Sequence, residues 1–194
     1  MNNYKIIGIL PSENVEPRQF LRYCFDIDEL PLEEILEEET SFSYCTQCVR
    51  LLSKILGIQR KTVRDWGDNP NFERMPQYAR MTCNYAQLAL SKEELNRIIN
   101  QDFDAPKLTA MEFIEEMLLK GLSPSEKLKA TTSSKFRGQC LNLLSNTLKV
   151  SKSRVYEWGS DMELSAMPKH YEHTLAYALA AYKKQEKTGK RSAA

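Results

Sequence analysis

The sequence predicts an all-α protein built from two tandem helical domains, and three observations carry that prediction. Apolar residues recur at intervals of three and four, as in Leu51, Leu52, Ile55 and Leu56, and again in Phe113, Ile114, Met117 and Leu118. Gly and Pro number only 7 and 8 in 194 residues, so obligatory turns are few. The chain also repeats itself: a slide of 92 residues aligns 48–90 with 140–182 without a gap.

The repeat rests on rare residues. Trp66 falls on Trp158 and Gly67 on Gly159; Met75 falls on Met167 and Pro76 on Pro168. Cys48, Leu51, Leu52, Ser53, Leu56 and Val63 match Cys140, Leu143, Leu144, Ser145, Leu148 and Val155. Thr82, Tyr85, Ala86 and Ala89 match Thr174, Tyr177, Ala178 and Ala181. The unit fills about half the chain, beyond the roughly 20–50 residues of a solenoid repeat. The division follows: a first helical repeat over 1–103, a second over 104–185, and a disordered basic tail over 186–194.

Capping patterns place helix starts. Ser91 with Glu94, Thr109 with Glu112, and Ser123 with Glu126 each pair a hydroxyl with a carboxylate three residues on. Helices are predicted over 17–26, 32–39, 42–56, 60–66, 76–90 and 92–101. The second repeat gives 109–120, 124–130, 135–148, 152–158 and 168–185. The first ten residues read as a short strand or an extended arm.

Composition narrows the function. Hydrophobic residues make up 42% and charged residues 27%, which suits a globular chain and not a disordered one. No apolar run approaches the ~18 residues of a membrane span. The run Ile6-Ile7-Gly8-Ile9-Leu10 is too short for a signal core. Five cysteines, an odd number, favour reduced thiols over a disulfide framework. A cytoplasmic protein without a membrane partner is expected. Net charge is only +1, so no general polyanion binder is announced. The distribution is sharper, with an acidic stretch from Asp26 to Glu39 followed by Arg50, Lys54, Arg60, Lys61, Arg64, Arg74 and Arg80.

One segment carries a recognisable physical logic. From Leu51 to Trp66, Ser53 is small where two helices must approach, and Gly57 suits a turn that needs positive φ. Ile58 plugs that turn, while Val63 and Trp66 face back onto the first helix. Gln59, Arg60, Lys61 and Arg64 are left outward. The second copy, Leu143 to Trp158, keeps the apolar skeleton but has Lys149 where the first has Gly57, so its turn is expected to differ slightly.

This pattern resembles the helix-turn-helix of phage and bacterial repressors, at about 48–66 and again at about 140–158. The resemblance implies that the second helix of each unit enters the major groove of double-stranded DNA. By position it implies contacts from Gln59, Arg60, Lys61, Thr62 and Arg64, with Arg50, Arg74 or Arg80 flanking on phosphate. In the second copy it implies contacts from Ser151, Lys152, Ser153, Arg154 and Tyr156. That face is less basic, so the two units should not read the same sequence.

Other signals lead elsewhere. Trp66 and Trp158 read as core, and Met75-Pro76 and Met167-Pro168 as loop and helix start. Cys45-Thr46-Gln47-Cys48 with Cys24 and Cys83 would make a zinc site on paper. Yet Cys48 matches Cys140 while Cys45 matches Arg137, so the shared cysteine belongs to the core. His170 and His173 have no evident third ligand. No catalytic constellation stands out, and neither metal nor cofactor is expected. The sequence therefore predicts a sequence-specific DNA-binding protein, a transcriptional regulator rather than an enzyme. Its expected partners are DNA and either a second copy or a transcription or mobile-element protein. The alternative is a helical protein-interaction module with a degenerate helix-turn-helix.

Overall fold

The structure is a computed structural model that describes residues 15–101, 103–159 and 164–191. Among them it is all-helical. The first half holds α1 (Pro17–Cys24), α2 (Leu32–Thr40), α3 (Phe42–Leu56), α4 (Arg60–Arg64), α5 (Gln77–Ala89) and α6 (Lys92–Asn100). The second holds α7 (Ala110–Ile114), α8 (Pro124–Thr132), α9 (Phe136–Leu148), α10 (Lys152–Tyr156) and α11 (His170–Arg191). A π-helical turn over Glu115–Leu119 continues α7, a departure from the single α-helix expected there. The arm or strand expected in the first ten residues lies outside the described residues.

All three predicted capping boxes form, at Ser91, Thr109 and Ser123. α1, α4, α5 and α10 end one or two residues before their predicted limits, whereas α11 runs past its predicted end at 185, through Arg191. In the first repeat α5 stops at Ala89 and Ser91 caps α6; the counterpart of Ser91 is Lys183, which cannot cap. Lys183 instead pairs with Glu116 at 2.8 Å, and Lys184 Nζ donates to Ala89 O and Leu90 O at 3.4 Å each. The segment is also rich in strong helix formers.

The repeat is reproduced in the backbone hydrogen bonds. Ile58 N donates to Ser53 O at 3.0 Å, and Val150 N to Ser145 O at 3.3 Å. Arg74 N donates to Trp66 O at 2.8 Å, and Ala166 N to Trp158 O at 2.9 Å. Phe72 and Leu164, also 92 apart, both hold positive φ, 45° and 49°. Lys149 adopts the same left-handed cap as Gly57, with φ 51° against 61°, so the turn does not differ as expected. An extra clasp accompanies the lysine: Ser145 Oγ donates to Val150 O at 2.6 Å.

The two copies meet through their last helices. Tyr78 stacks on His170 with ring centroids 4.0 Å apart, and Thr82 Oγ1 lies 2.7 Å from Thr174 Oγ1. Each pair joins residues 92 apart, the repeat offset itself. Contact between equivalent residues places a local two-fold axis between the helices. Since Lys184 reaches the end of α5 while His170 meets its start, α5 and α11 run in the same direction. Tyr78 and Thr82, one turn apart on α5, each meet their equivalent on α11, as along a parallel coiled-coil seam. Tyr85 OH crosses further, donating to Thr147 O of α9 at 3.1 Å. One continuous core therefore spans both repeats, from Phe20 to Ala181. Burial lowers the His170 imidazole pKa, aided by His173.

The acidic stretch is anchored inside the first repeat. Glu39 is 4% exposed and accepts hydrogen bonds from Arg22 Nε at 2.7 Å and Arg18 Nε at 3.0 Å. Burial alone would raise its carboxyl, but the two guanidiniums outweigh that and hold it at about 2. Lys92 takes Asp26 and Asp28 at 2.7 and 3.0 Å. Burial pushes the thiols of Cys24, Cys48, Cys83 and Cys140 upward, so all four are protonated core groups. Among the described residues no three His, Cys, Asp or Glu form a group able to hold a metal, and no helix is long and apolar enough to cross a membrane.

Two stability measurements follow. Glu39 has a depressed pKa when folded, so its contribution is complete above about 4.5 and fades as pH falls toward about 2. Glu39→Gln should cost about 2 kcal/mol in urea melts at neutral pH, less than a fully buried pair because the arginines are partly solvated. It should also lose less stability on acidification to pH 3 than the parent; an equal acid loss contradicts the assignment. At Gly57, an added Cβ would overlap the His173 ring on top of the left-handed strain. Gly57→Ala should therefore cost about 2–4 kcal/mol. Gly138→Ala, in α9 with nothing within 4 Å, should stabilise by about 0.5–1 kcal/mol.

Candidate nucleic-acid interface

The site begins with a helix end. Ser41 caps α3 by accepting from Tyr44 N at 3.1 Å, and α3 then runs to Leu56. Gly57 reverses the chain, and α4 starts after two residues, Ile58 and the extended Gln59. Val63 is fully buried and Trp66 is 7% exposed, so both anchor α4 against α3. With those inside, Gln59, Arg60, Lys61, Thr62 and Arg64 are all exposed. The sequence-predicted contacts on α4 are thus all solvent-exposed, around every side of the helix except the one Val63 buries. Gln59 occupies the cap position of α4 yet makes no capping bond, which leaves its amide for other partners.

None of Arg60, Lys61 and Arg64 forms an ion pair among the described residues. The acidic stretch does not cover them, since its pairs go to Arg18, Arg22 and Lys92. Three cations about one helical turn long thus stand in solvent, where an anion meets them without first displacing a carboxylate.

The flanking cations divide. Arg74 is exposed, and Arg50 is half-buried on α3 with its Nε shielded and no acceptor. Arg80 differs from both in that its guanidinium already has partners within the protein. Its guanidinium donates to Met75 O at 3.2 Å and Glu73 O at 3.3 Å, and pairs with Glu16 at 3.2 Å. It closes the loop between α4 and α5. Lys54, basic in the sequence, likewise turns inward and donates to Ile98 O at 2.8 Å and to Gln101 O, satisfying the end of α6.

The second copy presents the same geometry with different chemistry. Val155 is fully buried and Trp158 is 3% exposed beneath α10. Ser151, Lys152, Ser153, Arg154 and Tyr156 are exposed above it. Several are already engaged. Ser151 Oγ accepts from Arg154 N at 3.2 Å and lies 2.9 Å from Ser153 Oγ, so it serves as the helix cap. Arg154 pairs with Glu157 at 2.9 Å. Sequence reasoning missed Arg137, whose guanidinium lies 5.1 Å over the Tyr156 ring while donating to Gly159 O at 3.0 Å. No sequence spacing connects α9 to α10 in that way.

Comparison with known proteins adds no relative, because no family, curated protein or solved structure matches this chain.

Proposed function

We propose that the protein binds double-stranded DNA through the outward faces of α4 and α10, as two non-identical helix-turn-helix units in one chain, and that it regulates transcription. The observation that carries this reading is the α4 face. It holds exposed Gln59, Arg60, Lys61, Thr62 and Arg64 over buried Val63 and Trp66, with its cations free of carboxylates. A short helix held at arm's length by its own apolar underside suits entry into a groove. Arg reads guanine and Gln reads adenine through paired hydrogen bonds, while Lys61 suits phosphate.

The arrangement across the α5–α11 pair supports a particular mode. Repressors of this kind use a dimer to set two recognition helices on one duplex. Here the near-symmetry of Tyr78 with His170 and Thr82 with Thr174 relates the two units within one chain. A monomer then addresses an asymmetric site. The first unit supplies most base contacts, and the second, with Arg154 neutralised by Glu157 and Ser151 used as a cap, mainly positions the backbone.

A second reading, a protein-interaction module with an incidental basic face, draws on the net charge of only +1. Fluorescence anisotropy on a random duplex over a salt series separates the two. Each phosphate-bound cation contributes about −0.9 to the slope of log affinity against log salt. Arg60→Ala/Lys61→Ala/Arg64→Ala should flatten the slope by about 2–3 and weaken binding more than about tenfold. Lys152→Ala/Arg154→Ala should do less than half as much. A parent chain without salt dependence, or a triple variant that binds unchanged, favours the interaction module.

A further inference from the structure

The first repeat carries an uncovered apolar face that the second lacks. On α2, Ile35 and Glu39 turn to the core. Leu32 and Leu36, one turn apart on the flank of that buried face, are 65% and 43% exposed. Across the Ser41 cap, Phe42 opens α3 with 87% of its surface in solvent. Single exposed leucines are ordinary; three large apolar side chains exposed between residues 32 and 42 point to a contact surface.

The duplication supplies an internal control. α2 and α8 begin and end 92 residues apart, yet Leu32 is matched by Pro124 and Phe42 by Ser134. Leu36 alone keeps its type, as Leu128. The second copy adopts the same helix without that apolar face, so the fold does not require it. The charge around it changes too. Glu33, Glu34, Glu37 and Glu38 are exposed and form no ion pair among the described residues, whereas their counterparts are Ser125, Glu126, Lys129 and Ala130. The Glu39 bonds to Arg18 and Arg22 meanwhile fix α2 as a rigid platform.

We propose that this face docks an amphipathic helix from a partner protein, apolar on one side and rich in lysine or arginine beside it. Charge decides the occupant. A second copy docking through the same patch would set these glutamates against their own equivalents. A basic helix lays its apolar side on Leu32, Leu36 and Phe42 and neutralises the glutamate rim. The inference does not rest on DNA binding, since α4 takes no part in it.

The test uses the full chain and a fluorescein-labelled peptide of about 14 residues, leucine and lysine at helical spacing. Anisotropy should show binding that Leu32→Ser/Leu36→Ser/Phe42→Ser weakens about tenfold or more. Leu128→Ser should leave it unchanged, and Glu33→Gln/Glu37→Gln should weaken it several-fold. These side chains are exposed, so melting temperatures should stay at the parent value, and the triple serine variant should keep the parent's DNA affinity. No peptide binding by the parent, or equal binding by the triple serine variant, overturns the proposal. Self-association of the parent that the triple serine variant abolishes would assign the face to a second copy and overturn it as well. So would a tenfold gain in peptide affinity on Ile7→Ser/Ile9→Ser, which would make the chain's own amino-terminal run the occupant.

Discussion

The parallel pairing of α5 with α11 is the constraint on which the rest depends. Each repeat has an apolar underside that neither buries alone, and the seam through Tyr78, Thr82 and Tyr85 joins them. Because equivalent residues meet there, the orientation of one α3–α4 corner fixes that of the other. The polar groups make the seam specific. The Thr82 and Thr174 hydroxyls, both 1% exposed, satisfy each other, and Thr82 Oγ1 also donates to Tyr78 O at 2.8 Å. Sliding one helix along the other would strand the Thr174 hydroxyl, at roughly 1–3 kcal/mol, and leave Thr82 only its own-helix bond to Tyr78 O.

Near-symmetry leaves room for divergence where the core does not forbid it. Val63, Trp66, Val155 and Trp158 are held by packing, so the corners keep one geometry. Their outward faces are unconstrained and differ: free cations over α4, a capped and ion-paired face over α10. The same logic applies at α2 and α8. Ile35 anchors α2 to the core, whereas α8 buries none of its residues. Duplication thus preserves what is inside and releases what is outside.

Most of the helical architecture was legible because its causes are local. The capping boxes, the three-four periodicity and the left-handed turn at Gly57 are written within a few residues of where they act. The docking of the repeats was not legible, since nothing in the sequence says that Thr82 would meet Thr174 and not a residue of its own repeat. Lys54 and Arg80 looked like members of a basic face because their partners are backbone carbonyls, which no side-chain pattern reveals. The run of α11 past 185 was hidden for a similar reason: Lys183 and Lys184, the last cations before the predicted helix end, are held by Glu116 and the end of α5 through contacts no local pattern shows. On the candidate site, exposure of Gln59 to Arg64 followed from Val63 and Trp66, while the Arg137–Tyr156 contact came only from tertiary packing.

The account stands on direct contact between the two repeats at their common axis. A double-mutant cycle of Thr82→Val and Thr174→Val, read by urea denaturation, tests it most directly. Each single change should cost about 1–2 kcal/mol by removing the shared bond, with the larger loss for Thr82→Val, which strands Thr174, and the double change should cost less than their sum by about 1 kcal/mol. Costs that add to within about 0.3–0.5 kcal/mol would show that the two threonines do not touch, and the shared axis would be lost with them.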